Sequence, residues 1–196
     1  MSDKSACFAE IVESCLTYYR AQSWDYTCTP AHGSLVVAEQ DGLVIYALVY
    51  YSQTGTDDSV RTVHAYQKTQ EELKRDQPQI FALLKTQFSV FVVGHERDNK
   101  LYYRCAPVPA SLHAFVRHAT IDEWRVFAQT VNYIPLLFGQ QNLFNTDELL
   151  LALVGSLKQK KLAEEAFLVE LLGMCMGLCD NDYRRVRFLA QRFEQV

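Results

Sequence analysis

The chain contains the stretch Leu35-Val-Val-Ala-Glu-Gln-Asp-Gly-Leu-Val-Ile-Tyr-Ala-Leu-Val-Tyr-Tyr-Ser52, in which two apolar runs flank a short polar turn. β-Branched and aromatic residues dominate both runs, and the Asp41-Gly42 pair suits the positive φ angles of tight hairpin turns. The pattern predicts strands over 34–39 and 43–52. Next, Gly55-Thr56-Asp57-Asp58 is typical of a helix start, because a carboxylate there accepts hydrogen bonds from free backbone N–H groups. The stretch therefore predicts a hairpin that leads into a helix across one face of a sheet.

The composition is that of a folded globular protein. The chain has 196 residues, of which 49% are hydrophobic and 21% charged, and these fractions exclude a disordered chain. The length fits one domain, or one domain with a small appendage. A net charge of −4 gives no overall basic surface and argues against tight, autonomous nucleic-acid binding. A local DNA contact inside a larger assembly stays open.

The ends and the cysteines indicate an intracellular protein. The N-terminus lacks the basic and apolar segments of a secretory signal. The longest apolar stretches are shorter than the ~20 residues that a membrane span requires, so we expect no membrane contact. The 6 cysteines are scattered and lie mostly in apolar surroundings, so we expect buried thiols in a reducing compartment.

The rest of the chain predicts a mixture of helices and strands. Apolar residues at helical spacing predict an amphipathic helix over 5–22, and a helix is expected from the acidic pair at 57–58 to near Pro78. Strands are expected at Phe88–Gly94 and Leu101–Ala106. Further helices are expected at 79–86, 110–117, 149–157 and 162–176, while 120–130 and 183–188 fit either a helix or a strand.

These elements predict an α/β (α+β) fold. We expect a nuclease-like domain over 1–133, with a mixed sheet flanked by helices, and a small C-terminal domain over 134–196. The boundary falls in a connector that contains Pro135 and Gly139.

The predicted hairpin lacks the residues of a nuclease site. A metal-dependent nuclease on this scaffold needs an acid near the first strand, and an acid and a lysine two residues apart on the second. Glu39 and Asp41 flank the turn, but the run Ile45–Tyr51 offers only apolar and phenolic side chains. We therefore expect no catalytic residue, and Glu39–Gly42 is interpreted as a polar hairpin turn.

One loose set of cysteines and a histidine has spacing that suits zinc. Cys175 and Cys179 lie four residues apart, and Cys28 and His32 have the same spacing. Zinc clusters usually use tighter Cys-x-x-Cys pairs, so packing of these cysteines in the core is the favoured alternative. Gly173 and the following residues form no phosphate-binding loop, and we expect no cofactor.

Arginines and tyrosines supply the remaining candidate surfaces. The dense basic cluster of the chain consists of Arg184, Arg185, Arg187 and Arg192, and a minor basic pair consists of Arg97 and Lys100. The strand tyrosines are Tyr46, Tyr50 and Tyr51. The dense cluster suits a phosphate group or an acidic protein face, and a solvated helix face is the alternative. The tyrosines suit either a stacking platform or packing within the fold.

Six segments, taken in order, resemble one known family. They are Trp24-Asp25-Tyr26, the hairpin 35–52, Val60-Arg61-Thr62-Val63-His64-Ala65-Tyr66, the strand Val90–Val93, Pro109-Ala110-Ser111 and Asn145-Thr146-Asp147-Glu148-Leu149-Leu150. With them the chain resembles the fifth subunit shared by eukaryotic nuclear DNA-dependent RNA polymerases, whose C-terminal part corresponds to a small subunit of the archaeal polymerase.

The resemblance implies a role in transcription, with 1–133 as a nuclease-like jaw domain and 134–196 as a small C-terminal assembly domain. The chain would be a non-catalytic subunit of a multisubunit RNA polymerase, anchored to the largest subunit and in weak contact with downstream DNA. Pro109, Ala110 and Ser111 would form the DNA-proximal loop, and the partner interface would consist of Arg184, Arg185 and Arg187. The nucleus is the implied location.

Departures from the family pattern indicate a divergent member. The family's Asp-Pro-x-x-aromatic signature is poorly kept, since Leu171–Gly177 and Tyr183–Phe188 stand in its place. A polymerase subunit encoded by a large DNA virus, found in the cytoplasm and the virion, fits such divergence. Two alternatives are a stand-alone interaction or regulatory protein on a degenerate nuclease-like scaffold, and an enzyme that uses zinc or a cysteine.

Overall fold

The computed structural model describes residues 4–56, 65–140 and 142–196, and its N-terminal part is rich in antiparallel strands. A 3₁₀ turn at Lys4–Ala6 precedes the first strand. The strands are β1 (Cys7–Ser14), β2 (Tyr18–Ser23), β3 (Leu35–Gln40), β4 (Leu43–Thr56), β5 (Leu84–Arg97), β6 (Lys100–Tyr102) and β7 (Phe115–His118). They are hydrogen-bonded in the order β2-β1-β7-β3-β4-β5, and β5 also pairs with β2, so that six strands close a barrel. Strand β6 is an extra hairpin partner of β5.

Helices follow the barrel and cover part of its outer surface. Two short helices, α1 (Gln70–Asp76) and α2 (Gln79–Ala82), lie between β4 and β5 in the chain. The C-terminal helices are α3 (Ile121–Ala128), α4 (Ile134–Phe138), α5 (Thr146–Gln159), α6 (Glu165–Leu178) and α7 (Tyr183–Phe193). Thr120 closes a capping box at α3, and the side chains of Asn145 and Asp182 accept backbone N–H groups at the starts of α5 and α7.

Strand β3 shows why residues 35–38 form a continuous apolar run in the sequence. Val36 and Ala38 belong to the core inside the barrel, whereas Leu35 and Val37 belong to the core between the barrel and the helices. Successive side chains of a strand point to opposite faces, so a strand buried on both faces needs apolar residues at every position. The interior is lined partly by alanines, and these small side chains suit a narrow six-stranded barrel.

The predicted mixed sheet flanked by helices is wrong. The strands pair antiparallel throughout and close on themselves, and the helices pack on the outer faces of β3, β4 and β5. The hairpin of β3 and β4 was predicted correctly, because its apolar runs and turn are local features. Closure depends on β2 meeting β5, a pairing between residues about 70 positions apart that no local pattern encodes.

The helix predicted over 5–22 is also wrong, because these residues form β1 and β2. The apparent helical spacing joined residues from opposite faces: Ile11 is buried in the barrel, while its neighbour Val12 is exposed. The true signal was the alternation of Cys7, Ala9 and Ile11. Residues 110–117, predicted as a helix, form a loop and the start of β7.

Several helical predictions are confirmed or decided by the structure. Residues 120–130 and 183–188, which fitted a helix or a strand, are helical in α3 and α7, and the helices expected at 149–157 and 162–176 correspond to α5 and α6. The helix start expected at Asp57 or Asp58 lies outside the described residues. Among the described residues, the last strand ends at His118 and the elements after it are helices. The domain boundary expected between 133 and 134 would lie between α3 and α4, and it stays a prediction.

Candidate interaction surface

Helix α6 is mostly apolar, and its charged residues are Glu165 and Glu170. One side packs into the helical core through Phe167, Leu171 and Cys175. The opposite side carries Val169, whose side chain is 65% exposed, and Gly173 one turn further on. Apolar residues outside the core-facing side of a helix commonly mark contact with a further partner. One face of α6 therefore has no partner among the residues that the structure describes.

The two glycines on this face serve no packing purpose in the described part of the chain. A Cβ atom placed on Gly173 or Gly177 would meet no atom within 4 Å. A glycine inside a helix costs about 1 kcal/mol relative to alanine, because glycine has more backbone freedom in the unfolded chain and loses it when the helix forms. Val169, Gly173 and Gly177 lie four residues apart and form a flat strip, on which a second helix can approach closely.

Helix α7 follows α6 after the turn at 179–182 and also exposes large side chains. Its inner side packs through Val186, Leu189 and Phe193. Its outer side exposes two aromatic rings, since Tyr183 is 66% and Phe188 57% exposed. We use the name α6–α7 strip for Val169, Gly173, Gly177, Tyr183, Arg184, Arg187 and Phe188. Large exposed apolar side chains concentrated on adjoining elements are typical of a protein-binding surface.

The arginines of the predicted partner interface divide into two kinds. Arg185 points to α5 and donates to Asp147, with Nη2 2.7 Å from Oδ1 and Nε 3.0 Å from Oδ2. These hydrogen bonds raise the pKa of Arg185. Arg184 and Arg187 are exposed, and neither side chain has an ion pair within residues 4–56, 65–140 and 142–196. Arg185 therefore holds α7 in place, and its two neighbours are available to a partner.

The predicted DNA-proximal loop closes one end of the barrel. The side chain of Gln40 donates to the carbonyl of Pro109 (3.1 Å) and accepts from the backbone N–H of Ser111. Between them Ala110 is buried in the barrel interior. These contacts give the loop a structural role as a lid, and a DNA contact there stays a prediction.

The loose zinc set is not assembled in the described structure. No group of three or more histidine, cysteine, aspartate or glutamate side chains suited to a metal occurs within the described ranges. Cys28 is exposed, whereas Cys175 and Cys179 are buried beside α5 and α7. Burial raises the pKa of the Cys175 thiol to about 12, which disfavours the thiolate form that binds metals or acts as a nucleophile.

Glu39 next to the hairpin turn and Tyr46 on β4 make contacts within the fold, whereas Tyr51 is exposed. Glu39 accepts hydrogen bonds from Arg117, and Asp41 lies in the exposed turn with a φ of 45°. Tyr46 packs on Phe127 of α3, with 5.2 Å between ring centroids. Tyr46 donates its hydroxyl to Glu96 at 3.1 Å, so it lies within the fold rather than on a stacking platform.

Sequence reasoning missed two groups of residues. It assigned no role to Val169, although the high apolar content of α6 was an available signal. It also treated Arg97 and Lys100 as an isolated pair, whereas the structure brings His95 and Arg104 to the same place. The alternation of His95, Arg97 and their strand partners was the available signal.

No helix in the described part of the chain combines the length and the apolar character needed to cross a membrane. Comparison of the sequence with models of known protein families finds no matching family, and comparison with characterised proteins finds no matching relative.

Proposed function

We propose that this protein is an assembly module that pairs with a second copy of itself through the α6–α7 strip. The observation that carries the proposal is the exposed, largely apolar side of α6, with two glycines that packing against the described residues does not require. Burial of this face removes apolar surface from water, at about 25 cal/mol per Å².

The charges on the strip favour a second copy as the partner. Glu164 and Glu165 are exposed at the start of α6, and Arg184 and Arg187 are exposed just beyond its end. Two α6 helices that pair antiparallel about a twofold axis place the acidic end of each beside the arginines of the other. The same arrangement places Val169 of one copy over the Gly177 strip of its partner. The surface is therefore complementary to itself in both shape and charge.

The polymerase role stays a prediction. The resemblance behind it implied a nuclease-like jaw, and the barrel differs from that fold. An interaction protein, the alternative expected from the sequence, is the role that the α6–α7 strip supports, now on a β-barrel scaffold.

The test measures the mass of the full chain in solution by light scattering over a range of concentrations. We expect a dimer that Val169→Glu converts to a monomer, because the substitution buries a charge at the centre of the interface. Leu112→Glu places the same charge on an exposed apolar residue of the barrel loop and is the matched control. A monomeric parent chain at about millimolar concentration, at which even weak dimers form, would overturn the proposal.

A charge exchange tests the orientation. Arg184→Glu with Arg187→Glu should weaken the dimer, and so should Glu164→Arg with Glu165→Arg. When all four changes are combined, the opposite charges face each other again and the dimer should recover. If the combined variant stays as weak as either double variant, the antiparallel arrangement is wrong.

A further inference from the structure

We propose that a cavity at the rim of the barrel, beside β5 and β6, binds a small phosphate monoester, and that His95, Arg97 and Arg104 recognise its phosphoryl group. A cavity of about 420 Å³ opens there, lined by these three side chains together with Asp98, Tyr102 and Cys105. The volume lies within the range of small-molecule sites, and the mouth of a β-barrel is a common place for such a site.

A register shift turns the basic side chains toward this cavity. Along β5, Phe88, Val90 and Val92 belong to the barrel core, so strict alternation would place Glu96 on the inner face. The pairing of β4 with β5 shifts by one residue between Tyr46 and Ala47. Bulges at barrel rims often redirect side chains in this way, next to binding sites.

After the shift, His95 pairs with Ile45 and Arg97 pairs with Leu43. Both β4 partners belong to the barrel core, and residues that face each other across an antiparallel pair share one face of the sheet. His95 and Arg97 are therefore on the inner face. Their partners across β6, Tyr102 and Lys100, extend the same face at the rim.

The ring of Tyr102 organises the basic groups. His95 stacks on it with 5.3 Å between ring centroids and an interplanar angle of 21°. The Nζ of Lys100 lies 5.3 Å, and the guanidinium carbon of Arg104 5.0 Å, from the centroid of the same ring. Cations held on an aromatic ring lose less side-chain freedom when a ligand binds. Because these groups occupy the faces of Tyr102, the site suits a phosphoryl group rather than a stacked base.

The charges in this region favour an anion. Arg97, Lys100 and Arg104 have no ion pair in the part of the chain that the structure describes, and Asp98 is the acid that lines the cavity. His95 is only 3% exposed, and its Nδ1 lies 3.3 Å from the carbonyl oxygen of Arg104. That contact fixes the ring and leaves Nε2 for a ligand. Guanidinium groups match phosphate oxygens with paired N–H donors.

The test is a titration of the full chain, labelled with ¹⁵N and followed by NMR, with inorganic phosphate, a ribose 5-phosphate ester and sodium chloride at equal ionic strength. We expect both phosphate compounds to shift the amide signals of residues 95–105, and chloride to have no such effect. Binding of the ester alone identifies the whole monoester as the ligand, whereas equal binding of inorganic phosphate identifies the phosphoryl group as sufficient. Both results support the site.

Variants distinguish binding of phosphate in the cavity from nonspecific attraction of anions to positive charge. Arg97→Gln and Arg104→Gln should each weaken phosphate binding on the order of tenfold, the usual effect of one lost charged hydrogen bond. Lys161→Gln removes the same charge from an exposed residue outside the cavity and should leave binding unchanged. Equal shifts with chloride, or equal losses in all three variants, would overturn the proposal. The dimer formed through the α6–α7 strip is not needed for this result.

Discussion

Arg117 and Glu123 join the barrel to the helices through two parallel hydrogen bonds. Nη1 and Nη2 of the arginine each lie 2.8 Å from a carboxylate oxygen of the glutamate. Arg117 lies on β7 and also donates to Glu39 of β3, while Glu123 closes the capping box of α3 with Thr120. Both side chains are less than one-fifth exposed. One arginine thus fixes two strands and the first C-terminal helix relative to each other.

Replacement of Arg117 by lysine should destabilise the fold. Lysine keeps the charge but cannot donate the paired hydrogen bonds, and we expect a loss of about 1–3 kcal/mol in the free energy of unfolding. Chemical denaturation measures it. Arg125→Lys is the control, because Arg125 pairs with Asp122 on the exposed side of α3, where ion pairs contribute about 0–1 kcal/mol. Equal losses in both variants would contradict the structural role of Arg117.

The Arg117–Glu123 pair should make the free energy of unfolding depend on pH in the acidic range. Burial alone would raise the pKa of Glu123, but hydrogen bonds from Arg117 and Thr120 outweigh it and lower the pKa below its usual value. A carboxyl group with a lower pKa in the folded state stabilises the fold above its unfolded pKa, and this contribution is lost as the pH falls through the folded pKa. We expect the difference in unfolding free energy between the parent and Glu123→Gln to shrink from about pH 7 to about pH 3. A constant difference would show that ionisation of Glu123 is not involved.

Gly33, in the loop before β3, lies very close to the backbone of α5. Its φ is +74°, and a Cβ atom there would lie 2.5 Å from the backbone carbon of Ala152. Gly42 has a similar φ of +76° but open space around it. An alanine at Gly42 therefore measures the cost of backbone strain without a steric clash. Gly42→Ala should cost about 1–2 kcal/mol from the left-handed conformation alone, and Gly33→Ala about 1–3 kcal/mol more. Thermal or chemical unfolding of both variants tests this, and equal costs would contradict the close approach.

Arg185 and Arg187 should differ in their effects on stability although they lie two residues apart. Arg185→Gln removes the paired hydrogen bonds to Asp147 and should cost about 1–2 kcal/mol. Arg187→Gln changes an exposed side chain and should alter the stability of the monomer by less than about 0.5 kcal/mol. Denaturation at low protein concentration, where the proposed dimer dissociates, measures both. The reverse order of effects would show that α7 is oriented differently.

The cysteines should react with alkylating reagents at very different rates. Cys28 is exposed, while Cys175 is buried and its thiol has a pKa raised to about 12, so that little thiolate is present at neutral pH. We expect iodoacetamide to label Cys28 first and Cys175 only after unfolding. Mass spectrometry of digested samples identifies each site over time. Labelling of Cys175 in the native protein at the rate of Cys28 would contradict its placement in the core.

Prediction from sequence succeeded where the signal was local. The turn at Asp41-Gly42 and the apolar runs beside it define the β3–β4 hairpin, and the apolar run 149–157 defines α5. It failed for β1, where Ile11 and Val12 look alike in sequence but lie on opposite faces. It also missed the inner-face position of His95, because a one-residue register shift reverses every later side chain in a strand.

The sequence by itself determined which segments are apolar and where the turn between β3 and β4 falls. These properties depend on neighbouring residues, whose intrinsic preferences act over a few positions. Only the tertiary structure decided that the strands close into a barrel, that Arg185 points inward while Arg187 points outward, and that His95 meets Arg104. Such relationships depend on contacts between distant segments, in which burial and pairing geometry outweigh local preference.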